Sequence, residues 1–106
     1  MLPAGDHRRS IEVAGRLRSY LVHVPAQYDP SRPTPVVLAF HGLGTNAKTM
    51  VRFCGLNETA DREGFLVVYP NGTGENPNVL TWNAGRCCAY AMTHNVNDVG
   101  FTRALA

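Results

Sequence analysis

The sequence predicts a mixed α/β fold in which helices alternate with the buried strands of a sheet. Two short apolar runs, at positions 36–40 and 65–69, are typical of strands that are covered on both faces. Between them lies a glycine-rich turn at residues 41–46, followed by a helical segment that begins near Ala47. Because buried strands separated by helices characterise α/β sheets, this order assigns the chain to that class.

A β-hairpin is predicted before the first buried strand. Residues 10–15 alternate in the manner of a strand, and residues 17–24 are rich in residues that favour β structure. The link at residues 14–16 predicts a tight turn, and Pro25 ends the second strand. The alternation gives the second strand two faces, one with Leu17, Ser19, Leu21 and His23 and the other with Arg18, Tyr20, Val22 and Val24.

Cap and breaker residues delimit the predicted helices. Thr45 or Asn46 can cap the helix that begins near Ala47, and Gly55 is expected to interrupt it. A second short helical stretch follows, and Gly64 is expected to stop it. The connection between the two buried strands is therefore predicted to be two short helices.

The region after the second buried strand is predicted to be a long loop. Residues 71–94 are rich in Gly, Asn and Thr and show no hydrophobic period, and loops of this length are typically functional or disordered. The segment 95–98 then resembles a helix cap with an acid in the first turn, so a further helix is predicted from there. We interpret Asp98 as a structural cap and not as a catalytic acid.

Composition excludes several classes of protein. The 106 residues carry a formal net charge of +2, with 17% charged and 44% hydrophobic residues, which is ordinary for a globular domain. No apolar stretch is long enough for a membrane span, and the weak, scattered positive charge argues against a nucleic-acid partner. The first residues show no signal peptide.

The turn at residues 41–46 is the most informative local motif, and two kinds of chemistry compete for it. A Gly-rich turn between a strand and a helix can direct backbone N–H groups into a cavity where they stabilise an oxyanion. The same residues also fit the G-x-G-x-x-A pattern of dinucleotide-binding turns, but the next strand is followed by no acid that could hold a ribose. A turn that merely joins a strand to a helix is the third alternative.

A series of short motifs in a fixed order resembles the polyhydroxybutyrate depolymerase-like and feruloyl esterase family. The resemblance covers nearly the whole chain and implies the N-terminal part of an α/β-hydrolase sheet. The motifs are His41-Gly42-Leu43-Gly44-Thr45-Asn46, Gly55-Leu56-Asn57, Ala60-Asp61, Gly64-Phe65, Val67-Val68-Tyr69-Pro70-Asn71-Gly72, Trp82-Asn83-Ala84-Gly85, Cys87-Cys88 and Asp98-Val99-Gly100-Phe101.

The resemblance implies a carboxylic ester hydrolase that uses a Ser-His-Asp triad. Its nucleophile would lie in a G-x-S-x-G elbow, yet Ser10, Ser19 and Ser31 are the only serines and none has that context. The chain stops among helix formers at residues 103–106. We therefore expect residues 1–106 to be the N-terminal portion of one domain, truncated before the nucleophile elbow and inactive by itself. The resemblance also implies an extracellular or periplasmic location.

Five residues can be carried over from the family as candidate site residues. The backbone N–H groups of Gly42 and Leu43 correspond to the oxyanion loop, although the family usually has more glycine there. His41 is expected to brace this loop by hydrogen bonding. Trp82 and Asn83 match a segment that looks like a wall of the substrate cleft, where an indole could pack on an aromatic or aliphatic acyl group.

The implied partner is an ester substrate of the polyhydroxyalkanoate or hydroxycinnamoyl type, and no cofactor or metal is expected. Cys87, Cys88 and His94 lack the usual spacing of metal ligands. The family pattern allows a disulfide from Cys87 or Cys88 to sequence outside this chain. The alternatives from other classes are a non-catalytic α/β binding or scaffold module and a dinucleotide-binding domain.

Overall fold

A computed structural model describes residues 3–76, 78–83, 89–94 and 96–105. Its main sheet has four strands in the order β1-β2-β4-β3, in which β1–β2 and β2–β4 are antiparallel and β3–β4 is parallel. The sheet is therefore mixed, with the predicted parallel pair at one edge and the predicted hairpin at the other. The strands are β1 (Gly5–Val13), β2 (Arg16–Val24), β3 (Val36–Leu38) and β4 (Leu66–Pro70).

The hairpin between β1 and β2 forms where it was predicted, but its first strand is longer and ends earlier. Ala14 and Gly15 both have positive φ angles, 51° and 76°, which suits a tight turn between right-twisted strands. The prediction began this strand at residue 10, whereas pairing with β2 extends from Val13 back to Gly5. Cross-strand pairing holds this N-terminal stretch in the sheet although its own sequence does not alternate.

Two short helices connect β3 to β4, with boundaries close to those predicted: α1 (Ala47–Cys54) and α2 (Leu56–Glu63). Asn46 is the cap of α1, since its side-chain oxygen accepts a hydrogen bond from the Thr49 amide at 2.9 Å. Gly55 and Gly64 take left-handed φ angles of 64° and 79°, a region that glycine enters without a steric penalty.

The core lies on both faces of β4, as its apolar sequence predicted. Val67 and Tyr69 point toward α1 and α2, where they pack with buried alanines of both helices. Val68 points to the opposite face and packs with Val22 and Val24 of β2. The half-buried Leu105, near the C-terminal end of the described residues, also packs against this second cluster. The sheet is therefore covered by helices on both sides.

The predicted long loop at residues 71–94 is wrong in part, because it contains secondary structure. It forms a small antiparallel sheet of β5 (Thr73–Asn76) and β6 (Val79–Thr81), followed by a short helix α3 (Ala89–Thr93). The Thr81 hydroxyl accepts from the Ala91 amide at 2.8 Å and donates to the Thr73 carbonyl at 3.0 Å. These strands are short and not alternating, so tertiary hydrogen bonds stabilise them rather than a pattern visible in the sequence.

The last helix, α4 (Asp98–Leu105), begins a few residues later than predicted. Asn97, one residue before it, accepts a hydrogen bond from the Gly100 amide at 2.9 Å and so fills the capping position. Within the described residues, no helix is long and apolar enough to cross a membrane.

Candidate active site

The glycine turn at residues 41–46 follows β3 after two residues, and hydrogen bonds connect it to the small sheet of β5 and β6. The Gly44 amide donates to the Leu80 carbonyl at 2.9 Å, and the Leu80 amide donates to the Thr45 carbonyl at 2.8 Å. Gly44 has a φ of 79°, so the turn requires glycine at this position. The Thr45 amide closes the turn on the Gly42 carbonyl. The second half of the turn is thus held by backbone hydrogen bonds.

The first half of the turn leaves two adjacent amides free. Among the described residues, the N–H groups of Gly42 and Leu43 donate to no protein acceptor, and both residues are exposed. A Cβ built on Gly42 would meet only the Thr45 methyl group, at 3.9 Å. Because this glycine has no left-handed φ and no close neighbour, neither backbone strain nor packing requires it. Free backbone amides on a turn between a strand and a helix can act as donors to an oxyanion.

The His41 side chain supports this turn through hydrogen bonds of both its ring nitrogens. It is buried, and its Nε2 accepts a hydrogen bond from the Gly72 amide at 2.9 Å. Since Nε2 is an acceptor, the ring proton must be on Nδ1, which lies 2.8 Å from the Gly42 carbonyl oxygen and donates to it. Both ring nitrogens are therefore occupied by backbone groups, and neither is available to take a proton from a substrate.

The electrostatics of His41 agree with this geometry. Burial lowers the pKa of His41 below its ordinary value of 6.5, while the hydrogen bond to Gly42 and the charge of Asp98 oppose the shift only in part. The imidazole is consequently neutral at neutral pH. A second proton would also leave Nε2–H facing the Gly72 N–H, two donors in contact.

Trp82 joins the small sheet to the turn and also lines a cleft. Its indole N–H donates to the His41 carbonyl at 3.0 Å, and its ring lies 4.8 Å from the His41 ring. Phe40 meets Trp82 edge to face with centroids 5.1 Å apart. These two aromatic rings border a mainly apolar cleft of about 370 Å³ whose far side is α4, including Val99 and Arg103.

Asn83 borders the same cleft, but its polar groups are engaged within the protein. Its backbone amide donates to Asp98 Oδ2 at 2.6 Å, and its side-chain amide donates to the Val96 carbonyl at 3.0 Å. The residue therefore fixes the Trp82 segment to the start of α4. A direct role in substrate binding, which the sequence suggested, stays a prediction.

Asp98 lies in the first turn of α4, as predicted for the acid of the capping segment, but the capping hydrogen bond is made by Asn97. The Asp98 carboxylate instead bridges the Asn83 amide and Arg18, whose Nη2 lies 2.6 Å from Oδ1. Arg18 is buried, and its guanidinium stacks 4.1 Å above the Phe101 ring. This ion pair connects β2 to the segment that carries the candidate cleft.

Sequence reasoning missed the partnership of Arg18, although a signal for it was present. The alternation of β2 placed Arg18 on the same face as three apolar or aromatic residues. A charge on such a face must find a counter-charge, since an unpaired buried charge is very costly. The partner is 80 residues away, so the sequence showed the need but not Asp98 itself.

The predicted disulfide involving Cys87 or Cys88 falls outside the described residues. Among those that are described, Cys54 on α1 is a free, half-buried thiol. The same part of the chain contains no cluster of three or more side chains that could hold a metal ion.

The mixed sheet and its glycine turn have a counterpart in a solved structure. A substrate-bound structure of FphF, a fluorophosphonate-binding serine hydrolase of Staphylococcus aureus, superposes with a TM-score of 0.55. The match covers 65% of this chain and 30% of that one, at 20% sequence identity, and so concerns the fold. No protein-family model matches the chain.

The chain also has a relative in sequence. The protein of Nocardia uniformis subsp. tsuyamanensis named "Putative esterase NocK" is 34% identical over 99 residues, which is 92% of this chain. The chain spans 27% of the length of that relative. The chain is thus similar to one protein named as an esterase and to one named as a serine hydrolase, and neither is named as a polyhydroxybutyrate depolymerase or a feruloyl esterase.

Proposed function

We propose that this chain carries the oxyanion-binding loop of a serine-type carboxylic ester hydrolase. The observation on which this depends is the pair of exposed, unbonded amides at Gly42 and Leu43, held in place by the turn and by His41. The fold likeness to a serine hydrolase and the relation to an esterase support the same conclusion.

In this reaction the chain contributes electrostatic stabilisation. When a serine attacks an ester carbonyl, negative charge develops on the carbonyl oxygen, and two amides already in position stabilise it without reorganising. None of Ser10, Ser19 and Ser31 has the sequence context of a nucleophile elbow. The serine, histidine and acid are therefore proposed to come from sequence outside these 106 residues. Export to the periplasm or the extracellular space belongs to the same proposal.

The cleft bordered by Phe40 and Trp82 supports a substrate with an apolar or aromatic acyl group. The Phe40 and Trp82 rings give the cleft an apolar, aromatic border against which such a group can pack. Polyhydroxyalkanoate and hydroxycinnamoyl esters both present acyl units of this kind, and they are the substrates proposed here.

A proline at position 43 tests the proposed role of the backbone amide. In the full-length protein, Leu43→Pro removes one of the two donors, whereas Leu43→Ala keeps it and shortens only an exposed side chain. Loss of one oxyanion donor should lower kcat by about 10²- to 10³-fold, and Leu43→Ala should stay near the wild-type value. Steady-state kinetics with a nitrophenyl ester, methyl ferulate and a hydroxybutyrate oligomer measure the effect.

A second variant separates the lost donor from an altered backbone. Replacing the amide at position 43 by an ester through chemical ligation removes only the N–H and should give a similar loss of kcat. The isolated 106-residue chain, with no nucleophile, should show no turnover that a serine-directed reagent abolishes. If Leu43→Pro and the protein with the backbone ester at position 43 both had the same kcat as Leu43→Ala, the proposed role of this amide would be refuted. A folded full-length protein inactive on all three esters would favour a non-catalytic binding module.

A further inference from the structure

A second concave surface, which shares no residue with the cleft of Phe40 and Trp82, is strongly basic. It is a groove of about 580 Å³ between the hairpin and α1. Leu21 of β2 lines it, Arg8 of β1 contributes to it, and Lys48 and Arg52 of α1 lie one helical turn apart. Among the described residues that line this groove there is no acid. The remaining lining residues are neutral and polar: Asn46, Thr49, Asn71 and Asn78.

The three cations in this groove have no counter-charge in the described part of the chain. The ion pairs found there involve other basic residues, whereas Arg8, Lys48 and Arg52 form none. Like charges that converge from two separate elements repel one another, and this repulsion is relieved when an anion is bound between them. In a chain with a net charge of only +2, such a local concentration of positive charge is not a result of overall composition.

The kinds of side chain in the groove indicate the class of anion. Guanidinium groups bind phosphate and sulfate oxygens in a bidentate manner, and an ammonium group adds a point charge. The Thr49 hydroxyl and the asparagine amides can supply neutral donors around the same anion. The volume exceeds that of one phosphate ion, so the groove has room for an organic group attached to it.

We propose that this groove binds a doubly charged oxyanion, a phosphate or sulfate group that is either free or carried on a small organic molecule. Arg8 and Arg52 grip the anion from opposite walls, and Lys48 neutralises its remaining charge. The groove includes Asn46, the last residue of the turn at residues 41–46, but neither Gly42 nor Leu43, so anion binding can be present or absent whatever the esterase assay gives.

Calorimetric titration at constant ionic strength tests this site, with inorganic phosphate, sulfate, phenyl phosphate and acetate as probes. The protein should bind the dianions in the millimolar range or tighter and acetate at least tenfold more weakly. Arg8→Gln, Lys48→Gln and Arg52→Gln should each weaken phosphate binding about tenfold, as expected for one charge-assisted contact. Tighter binding of phenyl phosphate than of phosphate would identify an organic phosphate as the ligand, and equal binding would identify the free ion.

Arg9→Gln is the matched control. Arg9 is exposed on the same strand next to Arg8, and alternation directs it to the opposite face of the sheet, outside the groove. This variant loses the same charge and should bind phosphate like the wild type. Absence of saturable dianion binding, or an equal loss in Arg9→Gln and the groove variants, would overturn the proposal.

Discussion

Two buried histidines of this molecule show how the kind of partner decides what an imidazole does. His23, on β2, lies between two carboxylates, with Nδ1 2.6 Å from Asp6 and Nε2 2.8 Å from Asp61. His41, below the glycine turn, lies between two backbone groups, the Gly42 carbonyl and the Gly72 amide. Both side chains are largely removed from solvent, yet their charge states differ.

The pKa values of the two histidines shift in opposite directions. Burial acts to lower the pKa of His23, but the hydrogen bonds and negative charges of Asp6 and Asp61 outweigh it and raise the pKa above 6.5. For His41 burial prevails, and the pKa falls below 6.5. The surroundings of His23, which links the hairpin to α2, thus favour its protonated form, and those of His41, which supports a loop, favour its neutral form.

The largest effect on stability is expected from Gly72→Ala, which displaces the backbone amide that donates to His41 Nε2. A Cβ at this position would collide with the Thr81 carbonyl oxygen of β6, so the chain must move and the Gly72 N–H leaves His41. The free energy of unfolding should fall by about 3 kcal/mol or more. Gly42→Ala is the matched control, since its Cβ makes only an ordinary contact, and it should change stability by less than about 1 kcal/mol.

Urea unfolding monitored by circular dichroism provides this measurement. If Gly72→Ala were as stable as Gly42→Ala, the close approach of residue 72 to β6 would be disproved, and with it the mechanical basis of the brace.

A smaller loss is expected from His41→Phe, which keeps a ring against Trp82 and removes both hydrogen bonds. The Gly72 amide then has no acceptor, at a cost of about 1–3 kcal/mol for a buried donor. Because the native pKa of His41 is below its unfolded value, its contribution is complete above pH 6.5 and is lost as the pH falls through the native pKa. Wild type and variant should therefore differ most in alkaline solution.

Unfolding free energies measured between pH 4 and 9 test this trend. Phe53→Leu, at an exposed side chain of α1 that does not titrate, is the control and should change the free energy of unfolding by the same small amount at every pH. A gap between wild type and His41→Phe that widened on acidification would show that the imidazole is charged in the native state.

The smallest effect is expected from Asp61→Asn, which weakens the carboxylate pair around His23. Asp61 is half exposed, so the loss should stay below about 1 kcal/mol. The contribution of this contact to the free energy of unfolding changes with pH in the direction opposite to that of His41. The native pKa of His23 is raised, so the contribution is complete below pH 6.5 and is lost as the pH rises through the native pKa.

Proton NMR titration of the two imidazoles measures this contrast directly. The midpoint of His23 should lie above 6.5 in the wild type and move down in Asp61→Asn, while the midpoint of His41 stays below 6.5 in both. An Asp61→Asn variant in which the His23 midpoint did not move would eliminate Asp61 as a partner of this ring.

The sequence was sufficient to predict the elements whose signals are local. Asn46, Gly55 and Gly64 marked the helix boundaries because capping and left-handed backbone depend on the residue itself. The apolar run at residues 65–69 predicted a strand buried on both faces, and Val67 and Val68 do lie in the two core clusters. The motif around His41 likewise located the candidate site.

The sequence was insufficient wherever a structure depends on distant partners. The short strands β5 and β6 are held by Thr81 and by the pairing of Thr45 with Leu80, and no window of residues 71–94 contains that information. The same holds for His23, whose face of β2 was predicted correctly while Asp6 and Asp61 were not connected with it. Local patterns predict where a side chain points, but not which side chain it meets.

The ion pair of Arg18 and Asp98 has a consequence for how the chain is made. The two residues are separated by 80 positions, so Arg18 leaves the ribosome long before its counter-charge is synthesised. Until then the guanidinium must remain hydrated, and the face of β2 that carries it cannot close. Docking of α4 can therefore complete this side of the sheet only after Asp98 has been synthesised.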